Sequence, residues 1–228
     1  MTGSKLAFSA LASVVLMAAD ATVQTSQTQA LMTPSAALER LKQGNERFSR
    51  GKHQSRNLRA QLKQTRDGQY PFATVLSCID SRSSPELLFD QGIGDIFGVR
   101  IAGNIATDEI LGSLEFASKV AGSRLILVLG HTRCGAVKGA VDDVKLGYIE
   151  SLVRQIKPAV DTARAKSPAA QDLVDQVAEA NVNNVVDLIH NRSAILSEML
   201  SKDEISVVGA MFDLGTGKVT FYDHVKAR

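Results

Sequence analysis

The sequence predicts an α/β fold: a mainly parallel central sheet flanked by helices, with an N-terminal helical arm and an appended C-terminal strand. Three observations carry this. "FATVLS" (72–77) and "RLILVLG" (124–130) are short, continuous apolar runs, the pattern of strands buried on both faces. Between them, "TDEILGSLEFASKV" sets Ile110, Leu114 and Ala117 at helical spacing behind a capping Thr107. Near the end, "ISVVGAMFD" and "KVTFYD" flank Leu214, Gly215, Thr216 and Gly217, a hairpin signal.

Taken in order, Thr33 can cap a helix and Pro34 suits its first position, after which Leu38, Leu41 and Phe48 share a face and Gly51 helps to end it. A polar segment to Gln69 leads into the first strand, and "DIFGVRI" (95–101) reads as the second. Past Gly135 the pattern is helical, with Ile149, Leu152, Val153 and Ile156 on one face and a kink expected at Pro158. A second helical stretch runs from about Ala169 to Leu200, beyond a loop around Ser167 and Pro168. Residues 33–228 are expected to form one domain.

The first thirty residues differ. Lys5 precedes the apolar "LAFSALASVVLMAA", and Ala19, Asp20 and Ala21 give a small-x-small cleavage pattern. This predicts a signal peptide over 1–21, a flexible spacer over 22–32, and a periplasmic or secreted mature chain; if the segment is an N-terminal arm instead, the chain is cytoplasmic. The formal charge is only +2 and the basic residues are dispersed, which argues against nucleic acid as a partner. No apolar run reaches the ~20 residues of a membrane span, so no stable membrane insertion is expected.

The chain has two cysteines, and each follows a predicted strand. Cys78 closes the first, and Cys134 lies just beyond Gly130. In parallel sheets ligands bind at this carboxyl edge. If the chain turns helical after Gly130, His131 and Cys134 lie on one face about a turn apart. Two thiolates and an imidazole would make a zinc site with three protein ligands, the number that leaves a position open for chemistry. A disulfide, or a pair of buried thiols, are the competing readings of two cysteines in an exported chain. Neither requires His131 at this spacing, nor Asp80 and Arg82 beside Cys78. If extended geometry continued past Cys78, then Cys78, Asp80 and Arg82 would point to one side, with Arg82 keeping Asp80 ionised.

At "CIDSR" (78–82) and "HTRC" (131–134) the sequence resembles the β-class carbonic anhydrase family. "GDIFGVRIAGN" (94–104), "GSLEFA" (112–117), "ALERLKQGNERF" (37–48) and "GAMFDLGTGKV" (209–219) extend the resemblance over most of residues 33–223. It implies reversible hydration of carbon dioxide to bicarbonate and a proton by hydroxide activated on one zinc ion (Zn2+) per subunit. By the resemblance Cys78, His131 and Cys134 bind the metal. Asp80 and Arg82 form the family's catalytic dyad, and Asp80 is a fourth ligand in a closed form. Gly103, Asn104 and Gln91 are candidate pocket residues, and a homodimer or dimer of dimers is expected. Two thiolates neutralise the metal's charge, so activity should favour alkaline pH. Two alternatives are kept: a zinc-containing bicarbonate-binding protein without turnover, and a hydrolase of a related heterocumulene such as carbon disulfide.

Overall fold

The structure is a computed structural model that describes residues 23–166 and 172–222. The predicted signal peptide, the loop at Ser167 and Pro168, and the last six residues lie outside the described residues. Five strands form one sheet in the order β2-β1-β3-β4-β5. β1 (Ala73–Ser77), β2 (Ile96–Arg100), β3 (Leu125–His131) and β4 (Ser206–Phe212) are parallel, and β5 (Val219–Phe221) returns antiparallel along β4. The expected mainly parallel sheet with an appended terminal strand is therefore what forms. The 72–77, 95–101 and 124–130 runs each become a strand within a residue of their expected limits.

Side-chain alternation along the strands divides the interior into two layers. Leu76, Ile126, Val128 and Val207 pack on one side with the helices that follow β2 and β3: α5 (Asp108–Glu115), α6 (Gly135–Val141), α7 (Gly147–Lys166), α8 (Leu173–Arg192) and α9 (Ala194–Ser201). Val75, Leu125, Leu127, Leu129 and Val208 face the other layer, built with Leu38 and Leu41 of α2 (Pro34–Ser49) and Leu88 of α4 (Pro85–Leu88). Burial on both faces explains the unbroken apolar runs of β1 and β3.

α2 begins as expected, with the Thr33 hydroxyl accepting from the Ala36 N–H and Pro34 opening the helix. It lies so close to α4 that a Cβ at Gly44 would stand 1.8 Å from the Phe89 carbonyl oxygen, so only glycine fits. α7 continues through Pro158. The helical stretch expected up to Leu200 is broken at Ser193, whose hydroxyl caps α9 through the Leu196 N–H. Part of the segment expected as a flexible spacer is ordered: Ser26–Ala30 form α1, closed by a capping box between Thr25 and Thr28. Gln29 then ties this helix to the Pro71 and Ala121 carbonyls, at 2.8 Å each. The polar stretch before β1 also contains a helix, α3 (Leu58–Gln64), capped by Asn57.

Candidate metal centre

β1 and β3 are neighbours in the sheet, paired from Ala73 with Leu125 to Ser77 with Leu129. This register delivers Cys78, one residue past β1, and His131, the last residue of β3, to the same carboxyl edge. The expected helical path from His131 to Cys134 does not form. His131 is still strand, and Thr132 and Arg133 make a tight turn in which Arg133 takes a φ of 55°; Cys134 is the residue before α6. Asp175 accepts the Arg133 N–H at 2.7 Å, and the Thr132 N–H bonds Phe212 O at 3.0 Å, so the turn is fastened to α8 and β4.

The Cys78 sulfur, the His131 ring nitrogen and the Cys134 sulfur all lie within 4.8 Å of one another, and all three residues are buried. Both cysteines are free thiols, their Sγ atoms 4.0 Å apart. The His131 Nδ1–H donates to the Thr132 carbonyl at 2.9 Å, which leaves Nε2 carrying the lone pair. That Nε2 is buried and has no hydrogen-bond partner among the described residues. Hydrogen bonding between the sulfurs pushes the Cys78 thiol down and Cys134 up. Burial opposes this at Cys78, while contacts from His131 and the Gly103 N–H reinforce it. Burial lowers the His131 ring, but its contacts with Cys78 and the Thr132 carbonyl outweigh that and raise it.

Strand geometry does not continue through Asp80 either. The chain turns at Ser81 and Arg82, and the Ser83 N–H bonds back to the Asp80 carbonyl at 3.0 Å. The turn nonetheless joins the expected pair: Arg82 grips Asp80 through Nε at 3.0 Å and Nη2 at 2.8 Å, with its backbone N–H at 2.9 Å. This fork holds the Asp80 carboxyl at about 2, well below the usual carboxylate range. Asp80 Oδ2 stands 3.9 Å from His131 Nε2, at the edge of the three-donor cluster.

A carbonic anhydrase family profile matches residues 73–219, which contain all of these groups. The chain belongs to the β-carbonic anhydrase family. It is 37% identical over 201 residues to carbonic anhydrase 2 of Mycobacterium tuberculosis, covering 84% of this chain and 94% of that one. Among solved structures, the Coccomyxa β-carbonic anhydrase in complex with acetazolamide superposes with a TM-score of 0.66 at 26% identity, over 72% of this chain and 78% of that one. A tetrameric β-carbonic anhydrase from Sordaria macrospora shares the fold, with a TM-score of 0.65 at 23% identity over 71% and 89% of the two chains.

In this β-carbonic anhydrase chain two further residues build the site that the sequence reading missed. Arg100, at the end of β2, donates from Nε to the Cys78 carbonyl at 3.1 Å and from Nη2 to the Asp80 carbonyl at 2.6 Å, clamping the segment between them. Asn181 of α8, buried, donates from Nδ2 to the Gly103 carbonyl at 2.9 Å. Gly103 in turn points its N–H at Cys78 Sγ, 3.4 Å away, from a backbone φ of 70° that suits glycine. A side chain there would also meet Ile156 Cδ1 at 2.6 Å. Gly103 thus lies against Cys78, and Asn104, buried beside it with φ 42°, completes the turn. Gln91 is placed elsewhere. It donates to the Phe89 carbonyl at 2.5 Å and packs by Gly44 of α2, in the layer on the opposite side of the sheet from Cys78 and Cys134. Within one chain it does not join the metal-centre pocket, because the turn after α4 carries it toward α2.

Proposed function

We propose that this chain is a zinc enzyme that reversibly hydrates carbon dioxide to bicarbonate and a proton. The observation that carries the reading is the buried cluster of Cys78, His131 and Cys134 with the unpartnered His131 Nε2. Its dimensions fit the ion: ligand distances of about 2.3 Å put two sulfurs of a tetrahedral site about 3.8 Å apart, and these stand 4.0 Å apart. Two sulfurs and one imidazole are also the soft donor set that favours zinc over calcium or magnesium. Zinc, when bound, supplies the Lewis acid that makes hydroxide available near neutral pH.

The chain's own groups do the rest. Arg82 keeps Asp80 ionised, so this carboxylate only accepts hydrogen bonds and orients a partner that carries a proton. Gly103 and Asn104 form a close backbone wall beside Cys78, suited to a small apolar substrate. Arg100 fixes the distance between Cys78 and Asp80 by holding both carbonyls. The 3.9 Å separation of Asp80 Oδ2 from His131 Nε2 supports a second reading, in which Asp80 occupies the fourth ligand position and the protein binds bicarbonate without turnover.

The proposal includes a homodimer or dimer of dimers, supported by the tetrameric Sordaria relative and by exposed Phe116, which lines a cavity with Phe97 and Val99 of the edge strand β2. It also includes export to the periplasm or outside the cell, for which the apolar N-terminal segment is the support. Among the described residues no helix is long and apolar enough to cross a membrane.

The test is the stopped-flow rate of carbon dioxide hydration against pH, with zinc quantified. A rate that scales with zinc and rises toward alkaline pH is expected, and Cys78→Ser should lose both metal and rate. Full zinc with no rate above buffer at any pH would transfer the conclusion to the bicarbonate-binding reading.

A further inference from the structure

The turn from His131 to Cys134 carries two of the three proposed zinc ligands, and its two inner residues are held by different elements. Thr132 is tied to the strands. Its N–H bonds the Phe212 carbonyl at 3.0 Å, its hydroxyl accepts the Leu214 N–H at 3.1 Å, and its carbonyl takes the His131 Nδ1–H at 2.9 Å. Arg133 is tied to α8, through the 2.7 Å bond from its N–H to Asp175 Oδ1. Its own conformation works against it. At a φ of 55° a Cβ crowds the backbone, which glycine avoids and asparagine tolerates, yet the residue here is an exposed arginine. Such a conformation persists only where its surroundings impose it.

Asp175 is suited to impose it. It lies in the first turn of α8, 42 positions beyond Arg133. A carboxylate that accepts a backbone N–H makes a charge-assisted bond, stronger than one between neutral groups. The helix dipole favours any acidic side chain in a first turn, and Asp172 shows the difference: at the same end of α8, its carboxylate takes Gln176 Nε2 at 2.9 Å, within its own segment. The body of α8 is registered on β3. Val182 packs so closely over Gly130, the residue before His131, that a Cβ there would stand 2.7 Å from its Cγ2. The same helix also reaches the other cysteine, through Asn181, the Gly103 carbonyl and the Gly103 N–H at Cys78 Sγ. One helix therefore supports both thiols, from side chains less than two turns apart.

We infer that Asp175 is a positioning residue of the proposed zinc site: it holds Arg133 in the left-handed conformation that brings Cys134 Sγ to 4.0 Å from Cys78 Sγ. The inference rests on the zinc reading above and deepens it. With the bond made, the turn presents Cys134 in the arrangement that the metal requires before the metal arrives. Without it, Arg133 relaxes toward negative φ, and zinc binding has to restore the uphill conformation unaided. The contact is with backbone, so Asp175 acts through Arg133 and not on metal or substrate.

The test measures zinc affinity of the full chain by competition with a chromogenic chelator, ligand geometry from the visible absorption of the cobalt(II)-substituted chain, and stability in urea. Asp175→Ala should weaken zinc about 10- to 100-fold and alter the cobalt spectrum. Asp175→Asn keeps an acceptor oxygen and should retain most of the affinity. Adding Arg133→Gly to Asp175→Ala should restore most of what was lost, because glycine takes a positive φ freely. Asp172→Ala, at the same helix end, should leave affinity unchanged. Parent affinity and spectrum in Asp175→Ala overturn the inference, whatever happens to stability. A loss that Arg133→Gly does not recover, or that Asp172→Ala matches, overturns it too, since Asp175 would then serve α8 or the general charge of its end. Failure of the zinc reading is a separate result: the parent chain itself would bind no zinc, which overturns both together.

Discussion

Two aspartates in this chain are held by arginine, and they differ in what surrounds them. Asp80 sits at the carboxyl edge of the sheet, paired with Arg82, whose side chain is 59% exposed. Asp90 is 2% exposed and receives Arg47, a nearly buried Arg56 and the Gln54 N–H. Both carboxyls are held below their usual range, Asp80 chiefly by the Arg82 fork, and Asp90 by Arg47 and Arg56 acting against its burial. An exposed pair contributes little to stability, because water already solvates both ions. A buried pair is different: removing one partner leaves the other charge stranded. The comparison separates a carboxylate that the proposed reaction would use from one that holds the fold.

The sharpest way to break that distinction is Asp90→Asn. It leaves Arg47 and Arg56 facing each other without their counter-ion, and should cost about 3–5 kcal/mol of stability in urea titrations. The hydration rate per zinc, measured on molecules that remain folded, should not change. The reverse is expected of Asp80→Asn. Its stability should stay within about 1 kcal/mol of the parent and its zinc should be retained, while the rate falls by about 10²–10⁴. A rate loss in Asp90→Asn as large as that in Asp80→Asn would mean that the two clusters act as one.

Asn181→Leu comes next in size. It removes the donor to the Gly103 carbonyl and leaves that oxygen buried without a partner, a cost of about 1–3 kcal/mol. The loosened turn no longer aims the Gly103 N–H at Cys78, so zinc affinity should fall about 10- to 100-fold. Competition with a chromogenic chelator reads this directly. Unchanged affinity with lowered stability would reduce Asn181 to a packing role.

The difference between the two clusters also explains what the sequence could disclose. Cys78, Asp80 and Arg82 are separated by single residues, and His131 and Cys134 by two, so local spacing brings them to notice. Burial on both faces likewise writes β1 and β3 as unbroken apolar runs. The Asp90 cluster joins residues 34 and 43 positions apart, and Arg40 reaches 55 positions to Asp95, distances over which no periodicity survives. The position of Gln91 within the chain is illegible for the same reason: a polar residue in a turn carries no mark of the sheet face to which the turn leads. The conformation between His131 and Cys134 was hidden because Arg133 adopts a positive φ, which neither Gly nor Asn announces there. α1, α3 and α4 span only five, seven and four residues, and have no amphipathic stripe long enough to read.

The smallest expected effect tests the exposed pair itself. Asp80 has a folded pKa near 2, against ~3.9 when unfolded. Its ionisation therefore contributes stability at neutral pH that is present above ~3.9 and is lost as pH falls toward 2. Arg82→Gln removes the fork and should return the Asp80 carboxyl toward ~3.9, so in the variant this contribution is small at every pH. The stability difference between parent and variant should then be constant above pH ~5 and shrink as pH falls below ~4. Urea midpoints from pH 6 to the lowest pH at which both chains stay folded provide the measurement, and an NMR titration of the Asp80 carboxyl carbon gives the pKa directly. A difference that stays flat down to pH 3 would mean that the Arg82 fork stabilises the protonated carboxyl as well as the ion. Asp80 would then be held by shape alone, and the distinction from Asp90 would rest on burial without any role for charge.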